Sequence, residues 1–177
     1  MYIFYLKIEN KRIYLEILFQ HPTKKDTKEI YNLIKKSKPL DINSEYLYLL
    51  QTTYFRKTCI VAKVQDRVIG FASGFISPKE EETFFVWQLA VDKEARGKGV
   101  AFRMLRELFD TPVVSKTSSI HTTISPSNIA SQKVFERFAK ELDFDKEIVI
   151  FATKDDFSDA HEDELLYIMK PRQKENK

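Results

Sequence analysis

The sequence predicts an α/β (α+β) fold in which a mixed central β-sheet carries helices on both faces. Two observations lead there. Strand-like apolar runs and helix-like amphipathic runs follow one another in the order β-α-α-β-β-β-α-β-α-β-β. A turn holding Gly97 and Gly99 joins a strand-like run to an amphipathic one, in a chain with only 4 glycines among 177 residues. Three meander strands followed by β-α-β-α-β make a mixed sheet, because a strand–helix–strand crossover returns the chain parallel to where it left.

Each element has a local cause. Ile13 to Phe19 alternates as a first strand, and His21-Pro22 ends it. Thr23 caps a helix reaching about Lys36, with Ile30, Leu33 and Ile34 on one face. The polar turn Pro39-Leu40-Asp41-Ile42-Asn43-Ser44 offers Asn43 or Ser44 as cap for a helix from Glu45 to about Tyr54, rich in Tyr and Leu. Thr58–Val64 and Val68–Ile76 form a hairpin across Gln65-Asp66-Arg67, and Thr83–Val91 is a third strand. A helix, Val100–Phe109, and a strand, Ser119–Ile124, come next. Ser125 caps and Pro126 opens a helix to about Leu142, since Pro suits a first helical position. Lys146–Ala152 and Leu165–Lys170 are the last strands. Residues 12–170 thus read as a single domain, residues 1–11 as an N-terminal extension and residues 171–177 as a charged, frayed tail.

At 43 % hydrophobic and 31 % charged residues, the make-up is that of a globular protein. The 29 basic and 26 acidic residues leave a net charge of +3, too even a balance to point to nucleic acid. No apolar run approaches the ~18–20 residues that cross a bilayer, so no membrane partner is expected. The single cysteine, Cys59, has no partner for an internal disulfide and lies in an apolar strand pattern, where it reads as core. Together these features point to the cytoplasm.

The chemistry concentrates at Arg96-Gly97-Lys98-Gly99. A glycine turn opening a helix presents backbone N–H groups at the positive end of the helix dipole. Arg96 and Lys98 add formal charge at the same point. The turn reads as a cradle for a pyrophosphate.

Strand, then Arg96-Gly97-Lys98-Gly99-Val100-Ala101, then helix resembles the acetyl-CoA signature of the GNAT superfamily of N-acetyltransferases, Gln/Arg-x-x-Gly-x-Gly/Ala. Four further blocks are similar to the L-2,4-diaminobutyrate acetyltransferases of that superfamily: Pro39-Leu40-Asp41-Ile42-Asn43-Ser44-Glu45-Tyr46, Phe85-Val86-Trp87-Gln88-Leu89-Ala90-Val91-Asp92, Thr122-Thr123-Ile124-Ser125-Pro126-Ser127-Asn128 and His161-Glu162-Asp163-Glu164. The resemblance implies the GNAT acyl-CoA N-acyltransferase fold. It implies acetyl transfer from acetyl-CoA to the γ-amine of L-2,4-diaminobutyrate, giving N4-acetyl-L-2,4-diaminobutyrate in ectoine biosynthesis, by a homodimer. An acetyltransferase for another primary amine, such as a polyamine, and a catalytically silent CoA-binding module are the alternatives.

Roles for individual residues follow from the same resemblance. Arg96, Gly97, Lys98, Gly99, Val100 and Ala101 hold the pyrophosphate, and main-chain groups of Leu89 and Val91 pair with the pantetheine arm like an added strand. An amide near Leu89 polarises the thioester carbonyl. Asn128 and Ser131 reach the cofactor from the next helix start, Asn128 otherwise being a plain helix cap. Asp41, Trp87, His161 and Glu164 form the substrate pocket, with Asp41 or Glu164 as general base. Away from the resemblance, Asp41 reads as a local cap and Trp87 as core. A strict strand would throw His161 and Glu164 onto opposite faces, so His161 must precede the last strand for both to line one site. One His among Glu162, Asp163 and Glu164 is a poor metal set, and acetyl transfer needs no metal. Many enzymes of this fold carry a Tyr seven residues after the Asn. Here that position is Phe135, which has no proton to give a departing thiolate.

Overall fold

The computed structural model describes residues 3–8, 11–159 and 161–172, with side chains from Glu16 onward. It resolves into two compact units. One joins the chain up to Ser73 with Gln88–Thr111, and the other joins Gly74–Trp87 with the chain from Pro112 on.

In the first unit, strands β1 (Ile3–Ile8) and β2 (Lys11–Gln20) pair antiparallel, with Ile8 opposite Lys11. β2 pairs with β3 (Cys59–Val64), and β3 with β4 (Arg67–Ile76), both antiparallel. The β3–β4 turn is the two residues Gln65-Asp66, with Gln65 left-handed at φ 55°, and Arg67 is already in the strand. β1 is an element beyond the expected order. It lies in the segment read as an extension, of which residues 1, 2, 9 and 10 fall outside the described residues.

Helices α1 (Thr27–Lys35) and α2 (Glu45–Thr52) cover one face of these strands. Their Ile30, Leu33, Ile34 and Tyr48 form a buried cluster with Cys59, Val61, Phe71 and Ala90. Each fully buried aliphatic side chain contributes about 1.5–3 kcal/mol. Tyr48 meets Tyr31 and Phe71 edge-on, at 6.1 and 6.5 Å between ring centroids. α1 begins later than its expected cap, because Thr23 and Asp26 close a capping box around the 3-10 turn Lys24–Asp26. α2 ends at Thr52, before the expected Tyr54, where the Thr53 hydroxyl donates to the Leu49 carbonyl at 2.6 Å in competition with the helix ladder. Helix α3 (Val100–Phe109) takes the opposite face, since Met104 fills the space a side chain at Gly70 would need, beside Ala62.

In the second unit, the start of β5 (Thr83–Val91) runs parallel to β6 (Ser119–Ile124), with Thr83–Phe85 against Ser119–His121. β6 then pairs antiparallel with β8 (Glu164–Pro171), and β8 with β7 (Phe144–Ala152). The sheet is therefore mixed, as expected. α4 (Ile129–Glu141) packs against β7 and buries Phe135 and Phe138. Its start corrects the sequence reading: Asn128, not Ser125, is the N-cap, and Pro126 precedes the helix rather than opening it. Pro171 closes β8, Arg172 pairs with Asp143 and Asp145 at 3.1 and 3.0 Å, and residues 173–177 of the expected tail lie outside the described residues. Among the described residues no helix is long and apolar enough to cross a membrane.

Candidate active site

The glycine turn is built from its flanks inward. The Asp92 carboxylate accepts the Glu94 N–H at 3.0 Å and Arg67 Nη2 at 2.8 Å, which starts the 3-10 turn Lys93–Ala95. Burial raises the Asp92 carboxyl, but these donors outweigh it and hold it below the usual carboxylate range. Gly97 and Gly99 follow in the left-handed region, at φ 73° and 77°. Beyond its own chain neighbours, nothing lies within 4 Å of where a Cβ would sit at either glycine, so torsion and not crowding selects them, and the turn opens outward. Gly99 is the N-cap of α3. The exposed Arg96 donates through Nε to the Val91 carbonyl at 3.1 Å, and the exposed Lys98 through Nζ to the Glu94 carbonyl at 2.7 Å. An outward-open turn at a helix N-terminus, carrying two cations, fits the pyrophosphate of acetyl-CoA.

Upstream on β5, Leu89 and Val91 are half-buried and alternate with buried Gln88 and Ala90. The Val91 carbonyl accepts Arg96 Nε, tying the end of β5 to the glycine turn. Gln88 Nε2 donates to the main-chain carbonyl of Asp41 at 2.8 Å. The loop that carries Asp41 leads to α2, whose cap is Ser44, accepting from the Leu47 N–H at 3.3 Å. The Asn43 N–H donates to the Tyr48 hydroxyl at 3.2 Å. Asp41 is exposed and is not the helix cap. The first unit thus joins the glycine turn, Leu89, Val91 and the Asp41 loop along one strand.

The second unit holds the other expected residues. Trp87 is 45 % exposed and therefore not core; it meets Phe75 edge-on at 6.0 Å, and Phe75 stacks on Phe85 at 5.2 Å. Glu164, the first residue of β8, accepts the Ser125 hydroxyl at 2.7 Å. Glu162 accepts both the hydroxyl and the N–H of Ser127, and these bonds draw its carboxyl below the usual range. Asp163 accepts the Lys154 N–H at 2.8 Å. The three neighbouring carboxylates thus serve three separate partners, and among the described residues no cluster could hold a metal ion. His161 lies in the loop before β8, stacked on Phe157 at 4.0 Å. Asn128 Oδ1 accepts the Ser131 N–H at 3.2 Å and so caps α4. Phe135 is 2 % exposed.

Sequence reasoning missed Gln88, Ser125 and Ser127 as site builders. Ser-Pro-Ser-Asn after a strand reads locally as a helix start. The carboxylates that claim its serines lie 35 and 39 residues downstream.

The profile of the acetyltransferase (GNAT) family matches residues 27–139. An L-2,4-diaminobutyric acid acetyltransferase of Marinococcus halophilus is 39 % identical over 156 residues, covering 88 % of this chain and 90 % of the relative. One of Methylotuvimicrobium alcaliphilum is 42 % identical over 156 residues, with 88 % and 91 % covered. Among solved structures, diaminobutyrate acetyltransferase EctA from Paenibacillus lautus, in complex with its substrate L-2,4-diaminobutyric acid and coenzyme A, matches with a TM-score of 0.86 at 36 % identity, over 89 % of this chain and 96 % of that one. Ard1 from Thermoplasma volcanium, 16 % identical with a TM-score of 0.70 over 89 % of this chain and 99 % of that one, shares the fold alone. With the glycine turn, the mixed sheet and these relatives in agreement, the chain belongs to the acetyltransferase (GNAT) family, and within it to the L-2,4-diaminobutyric acid acetyltransferases.

Proposed function

We propose that this chain transfers acetyl from acetyl-CoA to the γ-amine of L-2,4-diaminobutyrate, giving N4-acetyl-L-2,4-diaminobutyrate, a step of ectoine biosynthesis. The observation that carries the reading is the 36 % identical relative bound to that amino acid and to coenzyme A, matched over 89 % of this chain.

Acetyl-CoA supplies the acyl group as a thioester. Backbone N–H groups from Gly97 to Ala101, with Arg96 and Lys98, bind the pyrophosphate, and Asn128 and Ser131 add contacts from the start of α4. Leu89 and Val91 hold the pantetheine arm through main-chain groups, and the amide near Leu89 stabilises the oxyanion, worth about 3 kcal/mol when pre-aligned. Trp87 walls the aliphatic chain of the acceptor, while Asp41, His161 and Glu164 meet its charged ends. The attacking amine starts protonated, with a reference pKa of ~10.4. A carboxylate touching it raises that value, whereas desolvation lowers it. Glu164 or Asp41 therefore takes the proton, directly or through a water. Phe135 offers none in return, so water or the proton released by the amine serves the leaving thiolate.

We further infer that the working form is a homodimer. Among the described residues β7 pairs with β8 alone, and it exposes Ile148, Val149, Ile150 and Phe151, a run of apolar side chains suited to a second copy. Thiol release from acetyl-CoA across L-2,4-diaminobutyrate, putrescine and lysine tests the activity. Preference for putrescine overturns the substrate, and no turnover with any amine leaves a silent CoA-binding module. Product NMR reports which nitrogen is acetylated.

A further inference from the structure

Gln88 is 5 % exposed, on the buried face of β5. Its amide is used at one end only. Nε2 donates to the Asp41 carbonyl at 2.8 Å, while Oε1 is buried with no hydrogen-bond partner among the described residues. The orientation is fixed chemically, because a carbonyl can only accept and so must face Nε2. A buried acceptor left unpaired opposes folding. A core position on a strand is filled more stably by an apolar residue of similar volume. Gln88 therefore spends stability on one contact with a loop 47 residues away in sequence, and that loop carries Asp41.

We infer that Gln88 is a positioning residue: its Nε2 fixes the main chain at Asp41, and so the distance between the Asp41 carboxylate and the acceptor amine. The inference rests on the proposed contact between Asp41 and the substrate. Gln88 touches neither substrate nor cofactor in this account. It acts through the peptide it holds, on the strand whose Leu89 and Val91 serve the acetyl donor.

The test is a double-mutant cycle on the full-length enzyme with Asp41→Asn and Gln88→Met, reading kcat and both KM values by thiol release. Gln88→Met is expected to raise KM for L-2,4-diaminobutyrate by about 10-fold, to leave KM for acetyl-CoA within about 2-fold, and to keep or raise the melting temperature. On the Asp41→Asn background it should add less than about 2-fold, because the group it positions is gone. A purely structural role would instead lower the melting temperature and multiply independently with Asp41→Asn. That result overturns the inference, as does an unchanged KM for diaminobutyrate in a folded Gln88→Met enzyme. Should Gln88→Met not fold, Gln88→Glu keeps the shape. Its buried acid donates to the Asp41 carbonyl only when protonated, so KM for diaminobutyrate, taken relative to the parent enzyme, should fall as the pH is lowered. A flat profile overturns the inference. If Asp41→Asn alone leaves that KM unchanged, the reading of Asp41 fails and this inference falls with it. An effect of Asp41→Asn without one of Gln88→Met sinks only the positioning role.

Discussion

At Gly97 and Gly99 a side chain is excluded by backbone torsion and by nothing else, since the space around both is open. Gly99→Ala should therefore cost about 1–2 kcal/mol of stability and raise KM for acetyl-CoA, as equilibrium unfolding and thiol-release kinetics would show. Gly99→Asn should lose less, because Asn visits the left-handed region more readily. Phe135 behaves differently. It is buried in α4, so Phe135→Tyr places a hydroxyl in the core, and we expect turnover to change by less than ~10-fold while the melting temperature falls. A larger gain in turnover would return the thiolate's proton to that position. The glycine turn was legible because glycine in a left-handed turn leaves a local mark in the sequence. Gln88 and Ser125 were not, for each is committed to a group about forty residues away, and short-range rules offered only strand filling and helix capping.

Element boundaries followed the sequence wherever periodicity and caps agreed, and moved where a side chain offered the backbone another partner. β5, α3 and β6 match their expected bounds, whereas α1 starts late because Asp26 folds back onto Thr23. The same Asp26 ties the start of α1 to β3, for Lys63 Nζ lies 2.6 Å from its carboxylate with both side chains nearly buried. Burial alone would raise the Asp26 carboxyl. Lys63 and the two Thr23 donors outweigh burial and hold it below the ordinary range. A depressed carboxylate stabilises the fold above its unfolded value of ~3.9, and that share is lost as pH falls through the lower folded value. Urea unfolding followed from pH 6 downward should show stability dropping below about pH 4, with a smaller drop in Asp26→Asn. Lys63→Met should cost about 3 kcal/mol at neutral pH by stranding the buried carboxylate; a neutral outcome would mean the pair adds nothing. β1 escaped prediction because Ile3-Phe4-Tyr5-Leu6 is a continuous apolar run without alternation, read as part of an extension.

For the molecule as a whole, composition and element order carried the fold class, while the proposed homodimer rests on the exposure of β7, which the sequence alone does not reveal. β7 carries the continuous apolar run Ile148-Val149-Ile150-Phe151, which reads as a buried strand, yet nearly all of it is exposed. Light scattering should give a mass about twice the 20.9 kDa chain, and Ile150→Lys should return it to one chain with the melting temperature little changed. The loops before α4 and β8 carry a further consequence. Ser125 and Ser127, not lysine or arginine, hold Glu164 and Glu162. Such contacts are made by neutral dipoles at bonding distance. Concentrated electrolyte, whose Debye length is ~3 Å at 1 M, weakens mainly attractions between exposed, separated charges such as Arg67 and Glu94 at 3.9 Å. Ser127→Ala should lower the melting temperature equally in 0.1 M and 1 M KCl, at ionic strengths where Glu94→Ala, which removes only the 3.9 Å pair, loses its effect. The acidic loop is thus fastened by hydrogen bonds at contact distance, whose strength depends little on the Debye length of the solution.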